Sequence, residues 1–187
     1  MKLSPRGKLL LLMGLFALPI VASVLAYNFA DVRPTANYGE LLVPPAPITA
    51  QTFDAPGGAP FTFGQLAGRW ILVASDSGDC SAPCREKLVT LRQVRLALGR
   101  DAARVERVFV VDDGRPPASG AMEPFAGMQV ALAAPGAAPL PAGVLHDPAH
   151  IYLVDPNGNV MMRWPWPPDT RRMIKDLERL LKASQIG

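Results

Sequence analysis

One stretch constrains this chain more than any other: an apolar, β-branched run that ends in a short polar loop and a pair of cysteines. Trp70-Ile-Leu-Val-Ala74 has the composition of a buried strand, Ser75 to Asp79 reads as a loop, and Cys80 and Cys84 open a helix-like pattern. They are the only cysteines in the protein. Residues where a loop feeds a helix sit among unpaired N–H groups at the positive end of the helix dipole, and both favour a thiolate over a thiol. Cysteines four apart also share one face of a helical turn. The pair could form a disulfide across a short loop or converge on one soft metal ion. In an exported domain it could equally be a permanent structural disulfide.

The rest of the sequence places that pair outside a membrane. Lys2, Arg6 and Lys8 precede an uncharged run from Leu9 to Ala30, which at ~1.5 Å per residue reaches about 33 Å, enough to cross a ~30 Å hydrocarbon core. Residues 1–8 are expected as a cytoplasmic basic tail and 9–30 as a transmembrane anchor, with the remainder facing the periplasm. A cleaved signal peptide competes with this, because Val24-Leu25-Ala26 suits a signal peptidase and Pro19 interrupts the run. The length of the run, beyond the ~7–15 residues of a signal core, favours a retained anchor. Residues 31–52, with Pro44, Pro45 and Pro47, are expected as a Pro-rich linker or stalk. The net charge of +3 is small and its basic residues are dispersed. No basic stripe with interleaved aromatics is present, so nucleic acid is not an expected partner.

Residues 53–187 are expected to form one domain. Phe53 to Phe63 predicts two short extended pieces around an Ala55-Pro-Gly-Gly58 turn. After Cys84, Leu88, Leu91, Val94 and Leu98 recur at helical spacing, with Arg and Lys on the other face and Gly99 as the C-cap. Pro83 fits the first helical turn, where its missing N–H costs nothing. Arg107-Val-Phe-Val-Val-Asp112 predicts a central strand, completing a right-handed βαβ unit with a parallel pair. Met128 to Ala133 reads as a short strand or a helical turn, and Ala134 to Gly143 as a surface loop. His150 to Asp155 and Asn159 to Trp164 flank an Asn157-Gly158 turn, a strong hairpin signal. Asp169 is expected to cap a last helix carrying Met173, Ile174, Leu177, Leu180 and Leu181 on one face.

This order is similar to a thioredoxin fold: an α/β domain with a central mixed sheet flanked by helices, here behind an N-terminal transmembrane helix. More specifically, the chain resembles the Sco/SenC family of membrane-anchored copper-delivery and thiol-redox proteins. The resemblance runs from about Phe53 to Lys182. It rests on Gly68-Arg-Trp-Ile-Leu-Val, the Cys-x-x-x-Cys spacing at Cys80 and Cys84, Val108-Phe-Val-Val-Asp112, and the segment from His146 to Gly158 with its His-x-x-x-His. Ser81 and Arg85 stand where that family usually has proline, and the segment after Asp113 lacks its Asp-rich motif.

The resemblance implies a copper site, Cu(I) or Cu(II), on Cys80, Cys84 and one histidine. His146 and His150 are the two histidines of the chain, and either is a candidate ligand, with His146 the better match to the family. Two soft thiolates and an imidazole suit Cu(I). The implied task is assembly of cytochrome c oxidase, with its copper-site subunit or another assembly factor as partner. A metal-free periplasmic thiol–disulfide oxidoreductase is the alternative, with Cys80 attacking and Cys84 resolving. An anchored interaction module holding an inert disulfide is a third. Pro148 lies near the place where thioredoxin folds carry a cis-proline.

Overall fold

The structure is a computed structural model that describes residues 4–29, 37–49, 51–134, 143–144 and 146–184, without the side chains of residues 10 and 26–29. It divides into two units, Met1–Ala36 and Asn37–Gly187. In the first, α1 (Pro5–Phe29) begins where the Ser4 hydroxyl accepts the Gly7 N–H, and it continues through Pro19. Its described side chains lie almost entirely in the open. By length and composition the Pro5–Leu25 segment is apolar enough to cross a membrane.

The second unit is built on one sheet. Among the described residues its strands are β1 (Glu40–Pro47), β2 (Thr52–Asp54), β3 (Pro60–Thr62), β4 (Trp70–Asp76), β5 (Val105–Val111), β6 (Gln129–Leu132), β7 (His150–Val154) and β8 (Asn159–Pro165). Their spatial order is β1-β8-β7-β4-β5-β6-β2-β3. The β4–β5 and β5–β6 pairs are parallel, and every other pair is antiparallel. Parallel pairing of β4 with β5 requires a crossover, and α2 (Ala82–Ala97) supplies it, as the βαβ pattern predicts. The expected 134–143 loop lies largely outside the described residues.

Strand alternation sends side chains to two cores. Trp70, Leu72 and Ala74 of β4 join Leu88, Leu91 and Val94 of α2 with Met173, Leu177 and Leu181 of α3 (Thr170–Ala183). Ile71 and Val73 face the opposite way, against Ile48, Phe53, Phe61, Phe63 and Val144. Helices α2 and α3 thus cover one face, while the other is closed by the β2–β3 hairpin and the turn at Phe63–Leu66. The three phenylalanines meet edge-on or tilted, with ring centroids 5.5–6.4 Å apart.

Two expectations need correcting. The stretch read as a linker, 31–52, contributes a strand: β1 pairs with β8, its register shifting between Leu41 and Ala46, and Ile48 beyond it is buried. An edge position makes this possible, because Pro44, Pro45 and Pro47 need offer no N–H to a second neighbour. The polar face of α2 is also not wholly polar in setting, since Lys87 is 1% exposed.

Candidate functional site: a disulfide at a helix start

Strand β4 ends at Asp76, and the chain turns through Ser77 to Ser81 before α2 begins. Gly78 is required in this turn, because a Cβ there would collide with the Arg115 carbonyl. Its N–H donates to Asp113 Oδ1 at 3.0 Å. Arg115 closes the same corner on Asp113 at 2.8 Å and Asp79 at 3.3 Å. Cys80 follows with φ +37°, an uncommon conformation for a residue with a side chain, and its carbonyl accepts from Arg85 Nη1 at 2.9 Å.

Cys80 and Cys84 are joined as a disulfide, with Cα atoms 5.1 Å apart. Cys84 is fully buried, whereas Cys80 is 7% exposed. The first turn of α2 carries no acidic side chain, and Ser81 makes no side-chain cap, so nothing there competes for the positive end of the helix. A cavity of about 170 Å³ adjoins the bond, lined by Cys80, Asp79, Leu88, Ala121, Met122 and Phe125 among others.

Beneath the disulfide lies a feature that sequence reading missed. Lys87, one helical turn after Cys84, donates to the Pro148 carbonyl at 2.7 Å and the Ser75 carbonyl at 3.3 Å, and pairs with Asp76 at 3.4 Å. Its ammonium also lies 5.8 Å from the centre of the Trp166 ring. Burial lowers the Lys87 pKa, against the attraction of Asp76, Asp147 and Asp112. Asp112 is raised, chiefly by burial and further by Asp113 and Asp76, with His146 acting in the opposite sense.

The two histidines part company here. His146, with φ +60°, places Nδ1 3.5 Å from Asp112 at the end of β5, beside the loop that carries the cysteines. His150 shares the parity of Tyr152 in β7 and so faces the core away from the cysteines. Its Nδ1 lies 2.8 Å from Asp147, whose carboxylate also accepts the Tyr152 hydroxyl. Burial works against the Asp147 charge, but these hydrogen bonds outweigh it and its pKa is lowered. Among the described residues no three His, Cys, Asp or Glu side chains are grouped to hold a metal ion. The Asp147–Pro148 peptide is not cis; among the described residues the cis bonds are Val43–Pro44 and Trp166–Pro167.

A parallel β4–α2–β5 unit, an antiparallel β7–β8 hairpin and two cysteines at the start of α2 define a thioredoxin-like protein. The profile of the transmembrane-like, thioredoxin-like C-terminal domain family matches residues 70–184, more than half of the chain, and the protein belongs to that family. Solved structures that share its fold include the following three. Apo Sco1 of Thermus thermophilus superimposes with a TM-score of 0.63 at 20% identity, covering 78% of this chain and 97% of that one. Copper-bound ScoI of Bradyrhizobium japonicum gives 0.54 at 19% identity, with 72% and 98% covered. A thioredoxin-family thiol:disulfide interchange protein of Chlorobium tepidum gives 0.55 at 19% identity, with 73% and 97% covered. No curated protein matches the chain significantly.

Proposed function

We propose that the protein is a membrane-tethered thiol–disulfide protein, its domain facing the periplasm, that carries copper or controls thiol redox state during cytochrome c oxidase assembly. The observation that carries this reading is the Cys80–Cys84 bond at the start of α2, with a cavity beside its more accessible sulfur. The disulfide is the metal-free form, because copper requires both sulfurs as thiolates. A partner thiolate attacks Cys80 Sγ, which forms a mixed disulfide and releases Cys84 as a thiolate. Cys84 attack on Cys80 reverses that step; a second partner thiolate attacking its own sulfur in the mixed disulfide leaves a partner disulfide and the Cys80/Cys84 dithiol. Two electrons move from partner to protein, and the dithiol becomes competent to accept Cu(I) as cargo.

The donor chemistry of the reduced pair fits Cu(I), and His146 is the nitrogen donor at the same end of the sheet. A second reading, exchange without metal, is favoured by the lack of a third ligand grouped with the cysteines among the described residues. One experiment separates them. The full chain in detergent, reduced and titrated anaerobically with Cu(I), is expected to bind one copper that is lost in Cys80→Ala/Cys84→Ala and weakened at least tenfold in His146→Ala. Absence of binding by the reduced protein overturns the copper reading, and disulfide exchange with a reporter peptide then tests the other.

A further inference from the structure

Eight and eleven residues beyond Cys84, two to three turns along α2, Arg92 and Arg95 lean over Arg107 of β5. Together with Leu96, Pro124 and Ala126 they line a cavity of about 210 Å³. The three guanidinium groups are partly held by main-chain carbonyls. Arg92 Nη1 donates to Pro124 at 2.8 Å, Arg95 Nε to Val105 at 2.6 Å, and Arg107 Nη2 to Ala126 at 2.9 Å. Three donors remain over. Arg107 is only 4% exposed, yet its Nε and Nη1 have no protein acceptor, and neither does the buried Nε of Arg92.

Buried guanidinium groups are normally matched by a carboxylate or fully hydrogen-bonded. Here no carboxylate among the described residues pairs with any of the three; the nearby Glu106 is engaged by Arg69 at 3.2 Å. The cations instead face each other: burial lowers the Arg107 pKa, repulsion from Arg95 and Arg92 adds to the effect, and the attraction of Glu106 offsets only part of it. A cluster of like charges beside a cavity, with unused donors buried behind its wall, is completed by an anion that the guanidinium groups turn to meet, and the planar fork of arginine matches phosphate oxygens in particular.

We propose that Arg92, Arg95 and Arg107 form a binding site for a phosphate group, separate from the cysteine pair. The site draws donors from a helix and a strand, which surround a tetrahedral oxyanion better than a flat surface would. It also touches the thiol site indirectly: Pro124 and Ala126, which accept from Arg92 and Arg107, flank Phe125, a wall of the cavity beside Cys80.

The test uses the full chain in detergent, with inorganic phosphate as the probe and chloride at equal ionic strength as reference. Calorimetry is expected to give one saturable phosphate per chain, and the unfolding temperature is expected to rise with phosphate concentration but not with chloride. Arg92→Gln/Arg95→Gln and Arg107→Met should each weaken binding at least tenfold. The first pair is half-buried and reports even where the core variant does not fold. Glycerophosphoglycerol, the soluble head group of an anionic lipid, is titrated in parallel: tighter binding than phosphate assigns the site to lipid, weaker binding to free phosphate. Equal responses to phosphate and chloride, or wild-type affinity in Arg92→Gln/Arg95→Gln, overturn the proposal.

Discussion

Asp147 shows what a single side chain does at this site. One carboxylate oxygen takes both His150 and the Tyr152 hydroxyl, while Ala149 N–H donates to the other at 3.0 Å, so the turn before β7 is organised around it. Because its folded-state pKa is lowered, the charge contributes stability above the unfolded carboxylate value and loses it as pH falls through the folded value. Asp147→Asn is expected to cost about 1–2 kcal/mol at neutral pH, with the difference closing below pH ~4. Urea unfolding at several pH values measures this, and a pH-independent gap would count against it. The Asp147 cluster was not legible in the sequence, where only the family resemblance preferred His146 to His150; strand parity then turns His150 away from the cysteines. Lys87 was hidden for a related reason. At helical spacing a lysine reads as solvent-facing, and its burial is explained only by partners distant in sequence, the carbonyls of Ser75 and Pro148 with Asp76 and the Trp166 ring.

At the scale of elements, Asp176 joins three of them. Its carboxylate, 1% exposed, accepts the N–H groups of Tyr38 and Gly39 at 3.1 and 2.8 Å and Trp164 Nε1 at 3.1 Å, tying α3 to β8 and to the approach to β1. Asp176→Ala leaves two buried donors, Gly39 N–H and Trp164 Nε1, and the half-buried Tyr38 N–H unpaired and is expected to destabilise the domain by about 3 kcal/mol, read from the midpoint of a denaturant melt. A loss below ~1 kcal/mol, the net worth of one ordinary hydrogen bond, would show that water replaces the carboxylate. Asp169 caps α3 as predicted, accepting from Arg172 N–H. The elements with strong local signals were the ones legible in advance: the β-branched run of β4, the periodic face of α2 and the Asn157-Gly158 turn of the β7–β8 hairpin. Gly158 has φ +83° and leaves no room for a Cβ against Thr49, so that turn is fixed twice over. Strand β1 gave no such signal, since three prolines in eight residues argue against a strand unless its edge position is already known.

For the domain as a whole, the cysteine bond contributes less to stability than a disulfide closing a long loop would. A loop this short, with a sequence separation of 4, removes only about 2 kcal/mol of unfolded-state entropy in the chain-entropy account. The two apolar cores on either side of the sheet do not depend on it. The reduced protein is therefore expected to unfold cooperatively, with its stability lower by about 2 kcal/mol. Matched melts with and without reductant measure the difference, and a non-cooperative reduced state would show that the bond is structural. Much of the site's surroundings escaped sequence reading for a topological reason: Arg107, Arg92 and Arg95 are brought together by the crossover from α2 to β5, not by any local pattern.

Among the described residues the open sheet ends in two margins, β1 and β3. On one, Pro44, Pro45 and Pro47 withhold donors; on the other, β3 is three residues long and begins with Pro60. Each margin thus offers a neighbouring copy only a short run to pair with, residues 40–43 on one and 61–62 on the other. Such a molecule can be crowded with its own kind and still meet other proteins mainly through side chains and sulfur, without the main-chain zippering that leads to fibrils.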